Sequence, residues 1–224
     1  MNGKTILTVI FGAIGLVILL WLGFWQVSRL AWKNASLAEI ELRIQAEPVA
    51  LPDQLDPERD RYLPVAVTGI ASPGVQVFAT AKAQGAGFRM LSVFEVKGRR
   101  ILLDRGYRKQ TTPDDLLSEV ELSITGNLLW PQEVDGFTPE PEGTTWYARD
   151  IPAIAMSLNT EPILIVARSV TPNTFKARPM PVSTEGIPND HLGYAITWFS
   201  LAFIWLVMTA AVVWRIRQQT PKLQ

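Results

Sequence analysis

Two long stretches without a single charged side chain, one near each end, constrain this chain more than anything between them. Residues 5–28 and 192–214 are mostly Ile, Leu, Val, Phe and Trp. Each is longer than the ~20 residues a helix needs to cross a hydrocarbon core of about 30 Å. Between them the composition turns polar and rich in proline. The fold class expected is a membrane protein: two transmembrane α-helices flanking a β-rich extracytoplasmic domain, an antiparallel sheet or small barrel of α+β type. The boundaries read as transmembrane helix 1 at 5–28, a helical extension at 29–47, a periplasmic β-rich domain at 48–190, transmembrane helix 2 at 192–214, and a cytoplasmic basic tail at 215–224.

A cleaved signal sequence would have an apolar core of about 7–15 residues and a small-x-small cleavage site. The first stretch is longer and ends in Trp21-Leu22-Gly23-Phe24-Trp25, which offers no such site, so it reads as a retained anchor. Every acidic residue lies between Glu39 and Asp190, whereas Arg215, Arg217 and Lys222 make the end of the chain purely basic. The positive-inside rule therefore puts both termini in the cytoplasm and exports the middle. A bacterial inner (plasma) membrane fits best, because the amino end is too short and too poor in Arg and Ser for a mitochondrial targeting peptide.

The chain has no cysteine and one histidine, His191. That excludes disulfides, thiol redox chemistry, covalent haem attachment, thiolate copper or zinc sites and any multi-histidine metal centre. The formal charge is zero, which gives no reason to expect nucleic acid as a partner.

No Gly or Pro follows Gly23 until Pro48, and Leu30, Leu37 and Ile44 recur every seven residues. The first helix is thus expected to continue to about residue 47, some 60 Å in all at about 1.5 Å per residue. Its stripe is expected to pack on the domain. Pro48, Pro52 and Pro57 mark a loop. Strands are expected at 62–68, ending at Gly69, at 75–79 after Ser72-Pro73-Gly74, at 88–96 and 100–104 about a Lys97-Gly98 turn, at 119–129, and at 163–170. A short helix is expected at 150–158, with Asp150 as N-cap and Pro152 in its first turn.

No catalytic pattern stands out. The only imidazole available as a base sits beside the membrane, and Gly85-Ala86-Gly87 precedes a strand rather than opening a helix, so it reads as a turn and not a phosphate loop. Lys82, Arg89, Lys97, Arg99, Arg100, Arg105, Arg108 and Lys109 face only Glu95 and Asp104 within the same segment. Such a run serves anionic lipid headgroups, an acidic partner or haem propionates, or else it is a solvated hairpin.

The membrane boundary is more informative. Trp25, Gln26, Arg29 and Trp32 lie where the first span leaves the lipid, and Asn189, Asp190, His191, Tyr194 and Trp198 where the second enters. His191, Tyr194, Ala195, Trp198, Ala202 and Trp205 fall on one helical face. A histidine opening such a face can be an axial haem ligand, with Tyr194 and Trp198 as flat surface and Arg29 as partner to a propionate. Equally, Trp and Tyr there form the usual aromatic belt, Arg29 snorkels, Asn189 or Asp190 caps the helix, and His191 is an interface residue.

Gly23-Phe24-Trp25-Gln26-Val27-Ser28-Arg29-Leu30-Ala31-Trp32-Lys33 resembles the exit of the first span in the Surfeit-locus-1 family. The resemblance continues through Arg61-Tyr62-Leu63-Pro64-Val65 with Gly69, Gly87-Phe88, Leu103-Asp104-Arg105-Gly106-Tyr107 and Trp146-Tyr147-Ala148-Arg149-Asp150. It closes with Asn189-Asp190-His191-Leu192-Gly193-Tyr194-Ala195-Ile196-Thr197-Trp198-Phe199. The blocks span nearly the whole chain. It departs from the family at Tyr107, usually Trp, at Arg108-Lys109-Gln110, where a Pro is usual, and at Asp190, usually Asn.

The resemblance implies a non-enzymatic assembly factor for a haem–copper terminal oxidase (cytochrome c oxidase). Its partners would be the large subunit, subunit I, and other oxidase assembly factors. The implied cofactor is haem a, held transiently with His191 as ligand; the cofactor-binding candidates are His191, Tyr194, Trp198, Arg29, Trp25 and Gln26. A cofactor-free scaffold that stabilises an oxidase subunit is the second reading. A periplasmic sensor or binding module is the third, disfavoured because the short basic tails leave no output domain.

Overall fold

The computed structural model describes residues 3–81, 85–112, 119–172, 176–185 and 187–218; Lys82 and Lys222, counted above among the basic residues, lie outside these, as do 219–224 of the expected tail. In chain order the elements are α1 (Gly3–Gln45), β1 (Pro64–Ala81), β2 (Gly85–Val96), β3 (Arg99–Lys109), β4 (Val120–Leu129), β5 (Thr145–Trp146), α2 (Ile151–Leu158), β6 (Leu164–Thr171) and α3 (His191–Gln218). They divide between two compact units, Met1–Glu39 with Glu185–Gln224, and Ile40–Thr184.

In the first unit, α1 and α3 are long and apolar enough to cross a membrane. Only 11% and 6% of their most apolar stretches are buried, so they are not core helices of a soluble protein. Phe11, Val17 and Phe24 on α1, and Phe203, Met208 and Trp214 on α3, point outward. A helix apolar on every side needs lipid or protein around it.

The second unit is a mixed sheet. β1 pairs with β4 through 64–71 and with β2 through 70–81. β2 pairs with β3, β3 with β6, and β6 with β4, so the pairings return to β1 and close a ring of five strands among the described residues. Of the two forms expected, an antiparallel sheet or a small barrel, the closed ring matches the second, and the antiparallel form is corrected at β3 and β6, which run parallel. A ring with an odd number of strands cannot alternate direction all the way round, so at least one parallel pair is a geometric necessity.

A second difference concerns β1. The strands expected at 62–68 and 75–79 are one strand of 18 residues that changes partner part-way along. Gly69 and Gly74 do not end it; they let it bend, because a Cβ at either position would strike the carbonyl of Glu95 or Leu91 on β2. Pro73, which has no N–H to give a ladder, sits at the register shift between Ser72 and Val75.

The hairpin turn at Lys97 and Gly98 has φ of 51° and 76°, the doubly left-handed turn that matches strand twist. Along β3, Ile101 and Leu103 join Phe94, Leu122, Leu128 and Ile165 in one core cluster, while Leu102 faces the other way. There it meets Leu164 and Val166 of β6 and Ile151, Ile154 and Ala155 of α2. Asp150 caps α2 by accepting from Ala153 N–H at 3.1 Å, Pro152 lies in its first turn, and Asn159 ends it in the left-handed conformation. The last turn of α1 is also held by this unit. The fully buried Asn127 donates to Ile44 O at 3.0 Å and to Tyr62 O at 2.9 Å, and the Arg168 guanidinium donates to the same Ile44 carbonyl. A cation on the last carbonyls complements the helix dipole.

Candidate functional site

The helical unit is an antiparallel pair. A Cβ at Gly12 would strike Thr209, one at Gly15 would strike the Trp205 indole, and one at Gly23 the Phe199 ring. Partner numbers fall on α3 as they rise on α1. Small residues on both sides permit this approach: Ala195 and Ala202 are each 2% exposed. The Trp205 indole N–H donates to Gly12 O at 2.9 Å, satisfying the ring's one polar atom inside an apolar contact.

Towards the start of α3 the contact becomes polar. Gln26, only 8% exposed, sets its Oε1 2.8 Å from His191 Nδ1. Two turns further along α1, Asn34 Oδ1 accepts from Asn189 Nδ2 at 2.8 Å. Asn189 therefore bridges the helices instead of capping α3, and its own Oδ1 is buried without a partner among the described residues. Asp190 presents its backbone carbonyl, which accepts from Tyr194 N–H at 3.2 Å.

The structure brings some of the sequence candidates together and separates others. His191 and Gln26 form one hydrogen-bonded pair, and Trp198 lies half-buried on the packed row with Ala195, Ala202 and Trp205. Tyr194 is 57% exposed and Trp25 50%, so both turn away from that row. Arg29 is exposed and lays its guanidinium over the Trp32 ring, 4.0 Å from the centroid. The Asn34–Asn189 pair was missed by sequence reasoning; its signal is Asn34 lying eight residues after Gln26, on the same side of one helix.

Chemically, the pair orients one imidazole. An amide oxygen only accepts, so Nδ1 is the donor, and in the neutral imidazole Nε2 is then the lone-pair nitrogen. That is the arrangement by which an outer partner orients a metal-binding histidine. No group of three or more His, Cys, Asp or Glu able to hold a metal ion occurs among the described residues.

In the sheet unit, the basic segment of β2 and β3 is divided: Lys97, Arg100 and Lys109 are exposed, while several of its arginines turn inward. Arg105 and Arg108 are 4% and 6% exposed. Arg105 donates to Ser92 Oγ at 2.7 Å, and Arg108 to Gln76 Oε1 at 2.9 Å. Arg99 forks onto Glu161. Arg89 Nε donates to Asp104 Oδ2 at 2.6 Å, and Arg149 Nη1 lies 3.7 Å from the same oxygen. Arg149 also forks onto Glu133, so cation and anion alternate through Arg89, Asp104, Arg149 and Glu133. Burial raises the Glu133 pKa, but its bonds from Arg149 outweigh that and hold it below the ordinary carboxylate range. Each charge in the row therefore faces one of opposite sign.

These two clusters join the distant sequence blocks in pairs. Gln26 of the first block meets His191 of the last, and Asp104 of the Leu103–Tyr107 block approaches Arg149 of the Trp146–Asp150 block. The model of the SURF1 family matches residues 13–203. "Surfeit locus protein 1" of Rattus norvegicus is 32% identical over 219 residues, 82% of this chain and 70% of the relative. The protein of that name in Homo sapiens is 30% identical over 209 residues, 81% and 69% of the two chains. A "SURF1-like protein" of Drosophila melanogaster is 27% identical over 215 residues, 82% and 71%. With the match running from inside α1 to inside α3, the chain belongs to the SURF1 family.

Proposed function

We propose that the chain is an assembly factor for a haem–copper terminal oxidase (cytochrome c oxidase) that holds haem a at His191 and assists its delivery to subunit I. On this reading it works beside other assembly factors in a bacterial inner (plasma) membrane, its sheet unit periplasmic and both termini cytoplasmic, and it breaks or makes no bond in a substrate. Family membership supports the oxidase role. The observation that carries the haem role is the 2.8 Å contact between His191 Nδ1 and Gln26 Oε1, which leaves Nε2 as the lone-pair nitrogen.

The donor set fits the group. Haem supplies an iron that one neutral imidazole can hold axially. A carrier that must let go needs a single protein ligand, and the chain has one histidine and no cysteine. Gln26 fixes the ring and its proton, and half-buried Trp198 offers flat apolar surface on the same row. Stacking on Trp32 occupies the face of the Arg29 guanidinium and leaves its N–H edge for a propionate. Being exposed, that pair contributes about 1 kcal/mol or less.

One observation favours the cofactor-free scaffold instead. Tyr194 is 57% exposed and off the row, so it adds no surface beside Trp198, and the His191–Gln26 bond then only joins two helices. Absorption of the full chain purified from a host that makes haem a separates the readings. Stoichiometric Soret absorption, with haem a recovered on extraction, is expected; a colourless protein from such a host overturns the haem role and leaves the scaffold.

A further inference from the structure

In the sheet unit, residues 133–142 form a loop with an unusual tip. Phe137 is 94% exposed and Val134 54%. The backbone that carries this ring is held in a hydrogen-bonded turn. Asp135 Oδ1 accepts from Phe137 N–H at 2.9 Å and from Thr138 Oγ1 at 3.0 Å, while Asp135 N–H donates to Thr138 Oγ1 at 3.0 Å. Both ends are pinned as well. Glu133 is held by Arg149, and Glu142 exchanges two backbone hydrogen bonds of 2.9 Å with Thr145, at the start of β5. An exposed aromatic on an already ordered backbone is suited to act as a binding anchor.

The charge around the tip selects its partner. From Pro131 to Tyr147 there is no Lys, Arg or His, but there are Glu133, Asp135, Glu140 and Glu142. Arg149 neutralises Glu133, which leaves three carboxylates flanking Phe137 and Val134. With no basic residue, the loop has no cation to draw it to anionic lipid headgroups. A protein with an apolar pocket rimmed by Lys or Arg fits it in shape and sign. We infer that the 133–142 loop is a docking finger: Phe137 enters an apolar pocket on a second protein, and Glu140 and Glu142 meet the basic rim. This inference does not depend on haem being bound.

The test uses the full chain in its native membranes with photoreactive benzoylphenylalanine at position 137, and, as control, at Met156, which is 84% exposed on α2. Irradiation at 137 should give one predominant protein adduct, and its cross-linked peptide should carry Lys or Arg beside apolar residues. Combining the probe with Glu140→Lys and Glu142→Lys should lower the yield about tenfold. The adduct from position 156 should not change, which reports that the unit is still folded. Adducts to lipid alone, a position-137 yield no higher than that from 156, or a yield indifferent to charge reversal overturns the inference.

Discussion

Replacing Asp104 with Asn removes one charge and almost no volume. Asp104 is fully buried on β3; its Oδ1 accepts from Gly106 N–H at 3.0 Å, and an amide oxygen can keep that bond. What is lost is the anion between Arg89 and Arg149, whose side chains are only 12% and 14% exposed. Arg149 retains Glu133, but among the described residues Arg89 is left with only the Met180 carbonyl, at 3.0 Å. Breaking a buried pair and stranding the surviving charge costs about 3–5 kcal/mol. For a chain of this size about 2–4 °C of melting temperature goes with each kcal/mol, so the midpoint should fall by about 6–20 °C. Glu161→Gln is the control, because it breaks the more exposed Arg99 pair and should cost about 1 kcal/mol or less. Tryptophan fluorescence of the detergent-solubilised full chain during heating reads both. If Asp104→Asn lowers the midpoint no more than Glu161→Gln does, the alternating row is not what holds β2, β3 and the segment before α2 together.

Three further outcomes follow from the geometry. In this cysteine-free chain, Gly12→Cys with Thr209→Cys should form an interhelix disulfide in oxidised membranes, since a Cβ at Gly12 meets the Thr209 side chain; no crosslink there or at Gly23→Cys with Phe199→Cys refutes the helix pairing. Alkaline phosphatase fused after Gly143 should be active and fused after Gln224 inactive; the reverse inverts the proposed topology. Glu161, held low by hydrogen bonds from Arg99, and Glu133, held low by Arg149 against its burial, have folded pKa values below their unfolded ones, so each stabilises the fold above the usual carboxylate pKa and loses that contribution as pH falls. Melting temperature should thus hold between neutrality and about pH 5 and drop below about pH 4, and less steeply in Glu133→Gln; an unchanged acid slope in that variant removes Glu133 from the account.

Local chemistry made parts of the fold readable. Lys97-Gly98 as a turn, Asp150 as a cap and Pro152 in the first helical turn depend on a few adjacent residues, and the structure shows each. The errors arose where distant partners decide. Gly69 and Pro73-Gly74 look like strand ends until β2 and β4 compete for the same strand, and then they are the bend. The parallel pairing of β3 with β6 follows from closing an odd ring, which no local pattern announces. The arginines of β3 looked like part of a patch because two of their partners, Gln76 of Arg108 and Glu161 of Arg99, are remote in sequence. At the candidate site, helical period put His191, Trp198 and Trp205 on one row, but the row's width was overestimated, and Tyr194 turns outward. The bond that orients His191 comes from the other helix, and only the antiparallel register, through Gly12, Gly15 and Gly23, brings Gln26 to it.

The central claim is that His191, oriented by Gln26, holds haem through Nε2, and one spectrum tests it most directly. The full chain and its His191→Ala and Gln26→Leu variants, each purified from a host that makes haem a, are compared by absorption after checking equal membrane insertion. His191→Ala should lose the bound haem. Gln26→Leu, which keeps the ligand but frees its Nδ1 proton, should retain haem with a shifted Soret band. A His191→Ala protein whose Soret band matches the wild type in position and intensity contradicts the claim.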